Sequence, residues 1–471
     1  MSSRLRAAIC LVSLAALTGA AGAASVPNPK VIGPIPAAAK PGDPSHDYPF
    51  FSTTADLESQ GYVEQEFFFE GAANRYHMPV LATGSIIDGG HPYRTRMVVR
   101  RPASAGKFNG IVLLEWQNVT AGHDLDAFWA VSHDHLMRRG YAWVGVSVNR
   151  VSIHQPVTGL TAWSPSRYKT LDVTQGGAIL DDALSYDIFS QAAQAVRCPE
   201  GIDPMRGLHV ERVFAAGASG PANRLVIYHN SIHPLAGVID AFFLAVGGGR
   251  LRTDLNVKVF LFLSETEVAR AAIRQPDSDH FRRWEVAGAA HVDFYLSQQT
   301  ERLKARDHIA PSSSDCDLPP LSRIPFRFAG NAAIDHLLRW VKDNIQPPVA
   351  PEIQTEAASP PAIARDGLGN ALGGIRLPQH AVPTAANTGV NSGPGFCRLY
   401  GSFQPFDNGT LDARYPDHKT YVMQVVQATL DDVAAGFMAP EDGLATIWDA
   451  VQSGIGGQVA RQGPSMVQGR R

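Results

Sequence analysis

One stretch limits the folds open to this chain more than any other. Val213-Phe214-Ala215-Ala216-Gly217-Ala218-Ser219-Gly220-Pro221-Ala222-Asn223-Arg224-Leu225 reads as a short apolar strand, a sharp turn of small residues and the start of a helix. A serine at the apex of such a turn stands where a base can reach it, and the amide that follows points into the same space. The turn needs small neighbours because the backbone folds back and the helix packs close to the strand. Gly217, Ala218 and Gly220 supply them. Pro221 breaks the strict Gly-x-Ser-x-Gly spacing. A proline fits the first turn of a helix, where its missing N–H would have no partner, and Gly220 tolerates the restriction that proline places on its predecessor. The Gly220 amide remains as a donor.

Strand and helix patterns alternate on either side of this turn. Residues 61–70 and 93–101 are strand-like, 110–116 is a nearly continuous apolar run, 128–139 is helical and stopped by Gly140, and 141–148 is the next buried strand. Residues 149–182, with Trp163 and Tyr168, show few helix signals and read as a lid or binding loop. Asp182 is placed to cap a helix running to about Arg197, and the helix after Ser219 to reach about His229. Further strands are expected at 238–246, 257–263 and 284–287, and an amphipathic helix at 331–344, where Ile334, Leu337, Leu338 and Val341 share a face. This alternation predicts an α/β fold: a mostly parallel sheet with helices on both faces, its reacting groups outside the carboxyl ends of the strands. The tail has strand-like 374–378 and helical 419–435 and 440–451. It reads as an extension, 349–471, packed on a catalytic domain of 49–348, with 25–48 a linker.

The first 24 residues read as a secretory signal: Arg4 and Arg6, an apolar run from Ala7 to Leu17, and small residues at Ala21-Gly22-Ala23. The expected location is periplasmic or secreted. Cys10 has no lipobox-like setting, and no later segment is long and apolar enough to span a bilayer. Once the signal is removed, Cys198, Cys316 and Cys397 remain, enough for one internal bridge, with Cys316 and Cys397 favoured because both lie in loop-like sequence. A net charge of -3, with no basic run among aromatics, argues against a nucleic-acid partner. No cofactor or metal is expected: the glycine turn at 366–370 lacks the Lys-Ser/Thr of a phosphate loop, and His133-Asp134-His135 reads as helix surface. The sequence leaves the oligomeric state open.

A serine hydroxyl needs a base to take its proton and a carboxylate to orient that base. In sheets of this kind the chain order is Ser, acid, His. His291, just past the 284–287 strand, is the candidate base. Glu267, a little past the 257–263 strand, is the candidate acid, with Glu265 and Asp240 as rivals. The oxyanion donors are the Gly220 amide and a backbone amide near Asn118, in the loop after Glu115-Trp116, which the sequence does not place to a single residue. Glu115, at a buried strand end, needs a partner: it braces that loop or meets solvent.

With these residues in place, the chain resembles the α/β-hydrolase superfamily, in the alpha/beta hydrolase domain family of exported bacterial esterases. The matching stretches include Tyr93-Arg94-Thr95-Arg96-Met97-Val98-Val99-Arg100-Arg101-Pro102, Glu115-Trp116-Gln117-Asn118-Val119, Ser185-Tyr186-Asp187-Ile188-Phe189-Ser190-Gln191, Ser264-Glu265-Thr266-Glu267, Trp284-Glu285-Val286-Ala287-Gly288 and Gly369-Asn370-Ala371-Leu372-Gly373-Gly374-Ile375-Arg376-Leu377-Pro378. The resemblance implies a Ser-acid-His hydrolase of small-molecule carboxylic esters that needs no cofactor, with Ser219 as nucleophile and His291 as base. The family often has Asp where this chain has Glu267, and a serine where it has Pro221. Two other readings accompany this one: a lactone or polyester hydrolase, and a catalytically inactive hydrolase-fold binding protein.

Overall fold

The computed structural model describes residues 26–270, 274–357 and 360–457, so the expected signal segment lies outside the described residues. The chain divides into two compact units. The first takes residues 1–244, 248–257 and 303–310, and the second takes 245–247, 258–302 and 311–471.

Unit one is built on strands β1 (Lys30–Ile32), β2 (Tyr62–His77), β3 (Ser85–Pro102), β4 (Ile111–Trp116), β5 (Ala142–Val146), β6 (Glu200–Gly201), β7 (Arg212–Ala218) and β8 (Ala241–Ala245). They lie in the order β8-β7-β4-β5-β3-β2-β1-β6. β4 pairs parallel with both β5 and β7. β4 and β5 are buried along their whole length, as strands covered on both faces must be. Beyond β5 the pairing turns antiparallel: β3 on β5, β2 on β3, β1 on β2. The helices are α1 (Ala127–Arg139), α2 (Arg150–His154), α3 (Leu160–Trp163), α4 (Pro165–Tyr168), α5 (Ser185–Ala195), α6 (Gly220–Ile227) and α7 (His233–Ala236). The result is the expected α/β architecture, a mostly parallel sheet with helices on both faces.

Three local expectations fail in unit one, each for a tertiary reason. The segment read as a linker carries β1, which pairs with β2 and β6, and it leads to buried Tyr48, Phe50 and Phe51. A strand of three residues is too short to show a period, so it is defined by its partners. The 149–182 connection holds α2, α3 and α4 and is tied to the core rather than laid over it. Trp163 and Tyr168 are only 7% and 0% exposed. Glu66, fully buried, collects Arg96 Nε at 2.5 Å, Arg167 Nε at 2.6 Å and the Tyr168 hydroxyl at 2.7 Å. Tyr168 in turn accepts the Phe50 N–H at 3.0 Å. Helices this short do not form by propensity; the buried ion cluster holds α4 through Arg167 and Tyr168. Asp182 does not cap α5, which starts at Ser185. Its carboxylate accepts the Arg150 N–H at 2.6 Å and Asn149 Nδ2 at 3.0 Å, and pairs with Arg224 at 3.0 Å.

Unit two begins with β9 (Lys258–Ser264) and β10 (Phe281–Val286), paired parallel. Its helices are α8 (Glu265–Val268), α9 (Phe294–Arg306), which starts in this unit, α10 (Phe326–Asp343), α11 (Pro378–Ala381), α12 (Cys397–Tyr400), α13 (Asn408–Arg414), α14 (His418–Ala435) and α15 (Pro440–Gln452). The tail is woven into the unit. The strand expected at 374–378 shrinks to a bridge at Ile375, whose N–H donates to Glu285 O at 2.8 Å and whose carbonyl accepts the Ala287 N–H at 3.0 Å. Ile353 and Ala371 share a buried cluster with Val268 and Ala287. Cys316 and Cys397 form a disulfide. The long helices α14 and α15 close over Val382, Tyr415, Val425 and Ala450. Among the described residues no helix is long and apolar enough to cross a membrane.

Candidate active site

Unit one presents Ser219 between β7 and α6. Its backbone is at φ 67°, ψ −122°, a conformation costing on the order of 1–3 kcal/mol for a residue with a side chain. Serine at a helix N-cap ordinarily bonds an amide of the first turn, yet the Ser219 side chain makes no such bond. The residue is half-exposed, and its hydroxyl is not used in capping. Gly217 is a steric necessity: a Cβ there would sit 2.9 Å from the Pro221 carbonyl carbon and 3.0 Å from Ala222 N. Gly220 is different, because a Cβ there would meet nothing within 4 Å. Open space adjoins the serine, and the Gly220 amide is the first of α6, where N–H groups lack intrahelical partners.

The loop after β4 is fastened to the elbow. Asn118 Nδ2 donates to Ala218 O at 3.1 Å. The Asn118 backbone N–H donates to Leu125 O at 3.1 Å, so among the amides near Asn118 its own is already bonded. Glu115 braces the start of the neighbouring helix. Its carboxyl accepts the Phe128 N–H at 3.1 Å and Trp143 Nε1 at 2.7 Å. Burial, with Asp126 adding to it, pushes the Glu115 pKa up to about 8.

Unit two presents the candidate base and acid at the carboxyl ends of β10 and β9. Ser264 is the N-cap of α8, and Glu267 closes a capping box with it. Glu267 Oε2 accepts the Ser264 N–H at 3.1 Å and the Ser264 hydroxyl at 2.6 Å. Its other oxygen lies 2.6 Å from His291 Nδ1. Burial raises the Glu267 pKa, but His291 and the two Ser264 bonds outweigh it, and the net shift is downward. The His291 N–H donates to Thr266 Oγ1 at 3.0 Å, and the Thr266 hydroxyl donates to Gly389 O at 2.6 Å. The next amide, Val292 N–H, donates to Leu399 O at 2.9 Å. With Nδ1 turned to the carboxylate, Nε2 is the nitrogen left for proton transfer.

Neither rival acid is placed for this task. Glu265, fully buried, accepts the Gly288 N–H at 2.8 Å and the Gly389 N–H at 3.1 Å, and pairs with Arg365 at 2.6 Å. Asp240 lies in unit one just before β8, where it accepts the Val213 N–H at 2.7 Å and pairs with Arg197. His229 is buried and His233 half-buried, and their pKa values fall to about 4, chiefly through desolvation. His135, read from sequence as surface, is 1% exposed. The sequence reading missed Thr266, Gly389 and Arg365. Gly389 occupies a position where a Cβ would come within 2.6 Å of Thr266 N and Ala289 O, but it sits in an unremarked Gly/Ser-rich loop.

No curated protein matches the chain. Among solved structures it is similar to a dienelactone hydrolase of Klebsiella pneumoniae subsp. pneumoniae, at 15% identity and TM-score 0.25 over 51% of this chain and 98% of that one. It is also similar to the esterase Est22, at 10% identity and TM-score 0.27 over 54% and 72%, and to the methylesterase BT1017, at 14% and 0.27 over 60% and 55%. The sequence pattern of the alpha/beta hydrolase domain family matches residues 31–447, and the chain belongs to that family.

Proposed function

We propose that this protein is an exported serine hydrolase of carboxylic esters. Ser219 Oγ attacks the ester carbonyl while His291 Nε2 takes its proton. The tetrahedral oxyanion is held by the Gly220 amide and by a second amide of the 117–122 loop. Because the Asn118 N–H is bonded to Leu125 O, we assign the second role to Val119. The imidazolium then protonates the leaving alkoxide, leaving an acyl group on Ser219. Water attacks that acyl group, His291 accepts its proton and returns it to Ser219 Oγ as the carboxylic acid leaves. Glu267 fixes the imidazole tautomer and stabilises its cation.

The observation that carries this reading is the 2.6 Å contact between His291 Nδ1 and a Glu267 carboxylate whose other oxygen is held by Ser264. Such a preset base has little structural purpose without a group to deprotonate. Export rests on the Arg4/Arg6 start and the apolar Ala7–Leu17 run. The test compares the mature protein with Ser219→Ala on p-nitrophenyl acetate and butyrate, and maps a fluorophosphonate adduct by mass spectrometry. The expected loss is about 10³-fold or more, with the adduct on Ser219. Equal rates in the two proteins, or an adduct elsewhere, overturn the assignment.

A further inference from the structure

We propose that unit two carries an anion-recognition site beside His291, centred on Arg323, and that the favoured esters bear a carboxylate near the scissile bond. This rests on the ester-hydrolase reading and names its substrate class.

Arg323 is fixed to the segment that carries the candidate base. Ser322 accepts the Phe294 N–H on its carbonyl at 3.0 Å, and its hydroxyl donates to Gly288 O at 2.6 Å. Phe294 opens α9 three residues after His291. The Arg323 N–H donates to Asn387 Oδ1 at 2.9 Å. The backbone of Arg323 is therefore held against the chain on both sides of His291.

Its side chain is ordered by rings rather than by acids. The guanidinium carbon lies 4.1 Å from the Phe403 ring centroid and 4.8 Å from that of Phe294, while the residue as a whole is exposed. No carboxylate among the described residues lies in ion-pair range of it. Three other arginines of the unit are ion-paired: Arg365 with Glu265, Arg274 with Glu285 and Arg282 with Asp277. Arg327, four residues on, stacks 3.7 Å over the Tyr295 ring, and its charge acts on Asp293 and Asp449.

Rings against a guanidinium cover its faces and leave its N–H edge for a ligand. That edge is a planar fork matched to a carboxylate. A free arginine side chain gives up about 2 kcal/mol of rotamer entropy when it is fixed. Here the stack has already fixed it, which is what preorganisation requires. A half-exposed aromatic flank, Phe294 and Tyr295, suits an aryl or sugar ring carrying that carboxylate.

The test uses 4-acetoxybenzoate and 4-acetoxybenzamide, which differ in charge and little in shape. In the full mature protein, Arg323→Ala lowers kcat/KM for the benzoate by about 10- to 100-fold, mainly through KM, and leaves the benzamide unchanged. Arg323→Lys, which keeps the charge and loses the fork, gives an intermediate value. Calorimetric binding of 4-hydroxybenzoate is lost in Arg323→Ala. Equal loss on both esters, or no loss on either, overturns the site. The binding measurement reads the site without turnover, so failure of Ser219→Ala to abolish hydrolysis would sink the enzyme reading alone.

Discussion

At the scale of residues, two carboxylates only two positions apart have opposite employment. In the sequence, the choice of Glu267 over Glu265 turned on distance past the strand end. In the structure their partners separate them: Glu267 faces His291 and Ser264, and Glu265 faces Arg365 and two amides. Glu267→Gln keeps the shape, removes the charge and disturbs the tautomer. It is expected to lower kcat by about 10³- to 10⁴-fold with the fold intact by circular dichroism. Glu265→Gln breaks a buried pair and is expected to cost about 3 kcal/mol in urea unfolding. The two variants therefore fail on different instruments, and the reverse pattern would exchange their roles. The pH dependence follows from the sign of the shift. A lowered folded pKa means that ionised Glu267 contributes stability in full above its ordinary value near 4.5, and that this contribution disappears as the pH falls through the lower folded value. Urea midpoints of wild type and Glu267→Gln should thus converge in acid and diverge toward neutrality.

At the scale of elements, legibility tracked the length of the period. The helices α14 and α15 and the strands β4 and β5 carry their patterns over enough residues to be read from sequence alone. α2, α3 and α4 do not, because each is about one turn long and takes its hold from distant residues: Asp182 bonds the first amide of α2, and buried Glu66 holds Arg167 and Tyr168 of α4. β1 escaped notice because three residues in a Pro/Ala/Gly-rich stretch show no alternation. The small residues around Ser219 were legible because the elbow leaves no room for a Cβ at Gly217. Gly389 carries the same kind of constraint, but nothing in its local sequence says that a turn of α8 lies against it. The short helix α12 matters beyond its length. Cys397 bonds it to Cys316, and two residues on, Leu399 O receives the amide that follows His291. The bridge closes a separation of 81 residues, for which chain-entropy arguments give about 4.5 kcal/mol. The double variant Cys316→Ser/Cys397→Ser is expected to lower Tm accordingly and to lower kcat more than it raises KM, because the loosened element abuts the base. A fall in Tm with kcat untouched would make the bridge a matter of stability alone.

At the scale of the whole molecule, the tail is a component of unit two and not an appendage to it. Apart from 245–247, the described part of unit two runs from β9 to residue 457, with 303–310 excepted, so the acid, the base and the tail belong to one compact body. Ile353 and Leu377 are 0% exposed and Ile375 is 1% exposed. Each such side chain contributes roughly 1.5–3 kcal/mol on burial, so three together approach the whole net stability of a typical domain, about 5–15 kcal/mol. Cutting the chain after residue 348 also strips Arg365 from buried Glu265 and removes the Gly389 and Leu399 carbonyls that hold Thr266 and Val292. A chain of residues 25–348 is therefore expected to be insoluble, or to unfold well below the full mature protein in a thermal scan, and to lack p-nitrophenyl ester hydrolysis even where some of it stays in solution. The point of comparison is Arg365→Ala in the full chain, which removes one contact of the tail and leaves its apolar burial in place, and which should keep the fold while losing part of the activity. A truncated chain that melts like the full protein and turns over ester at the same rate would show that the first 348 residues hold His291 and Glu267 in position unaided.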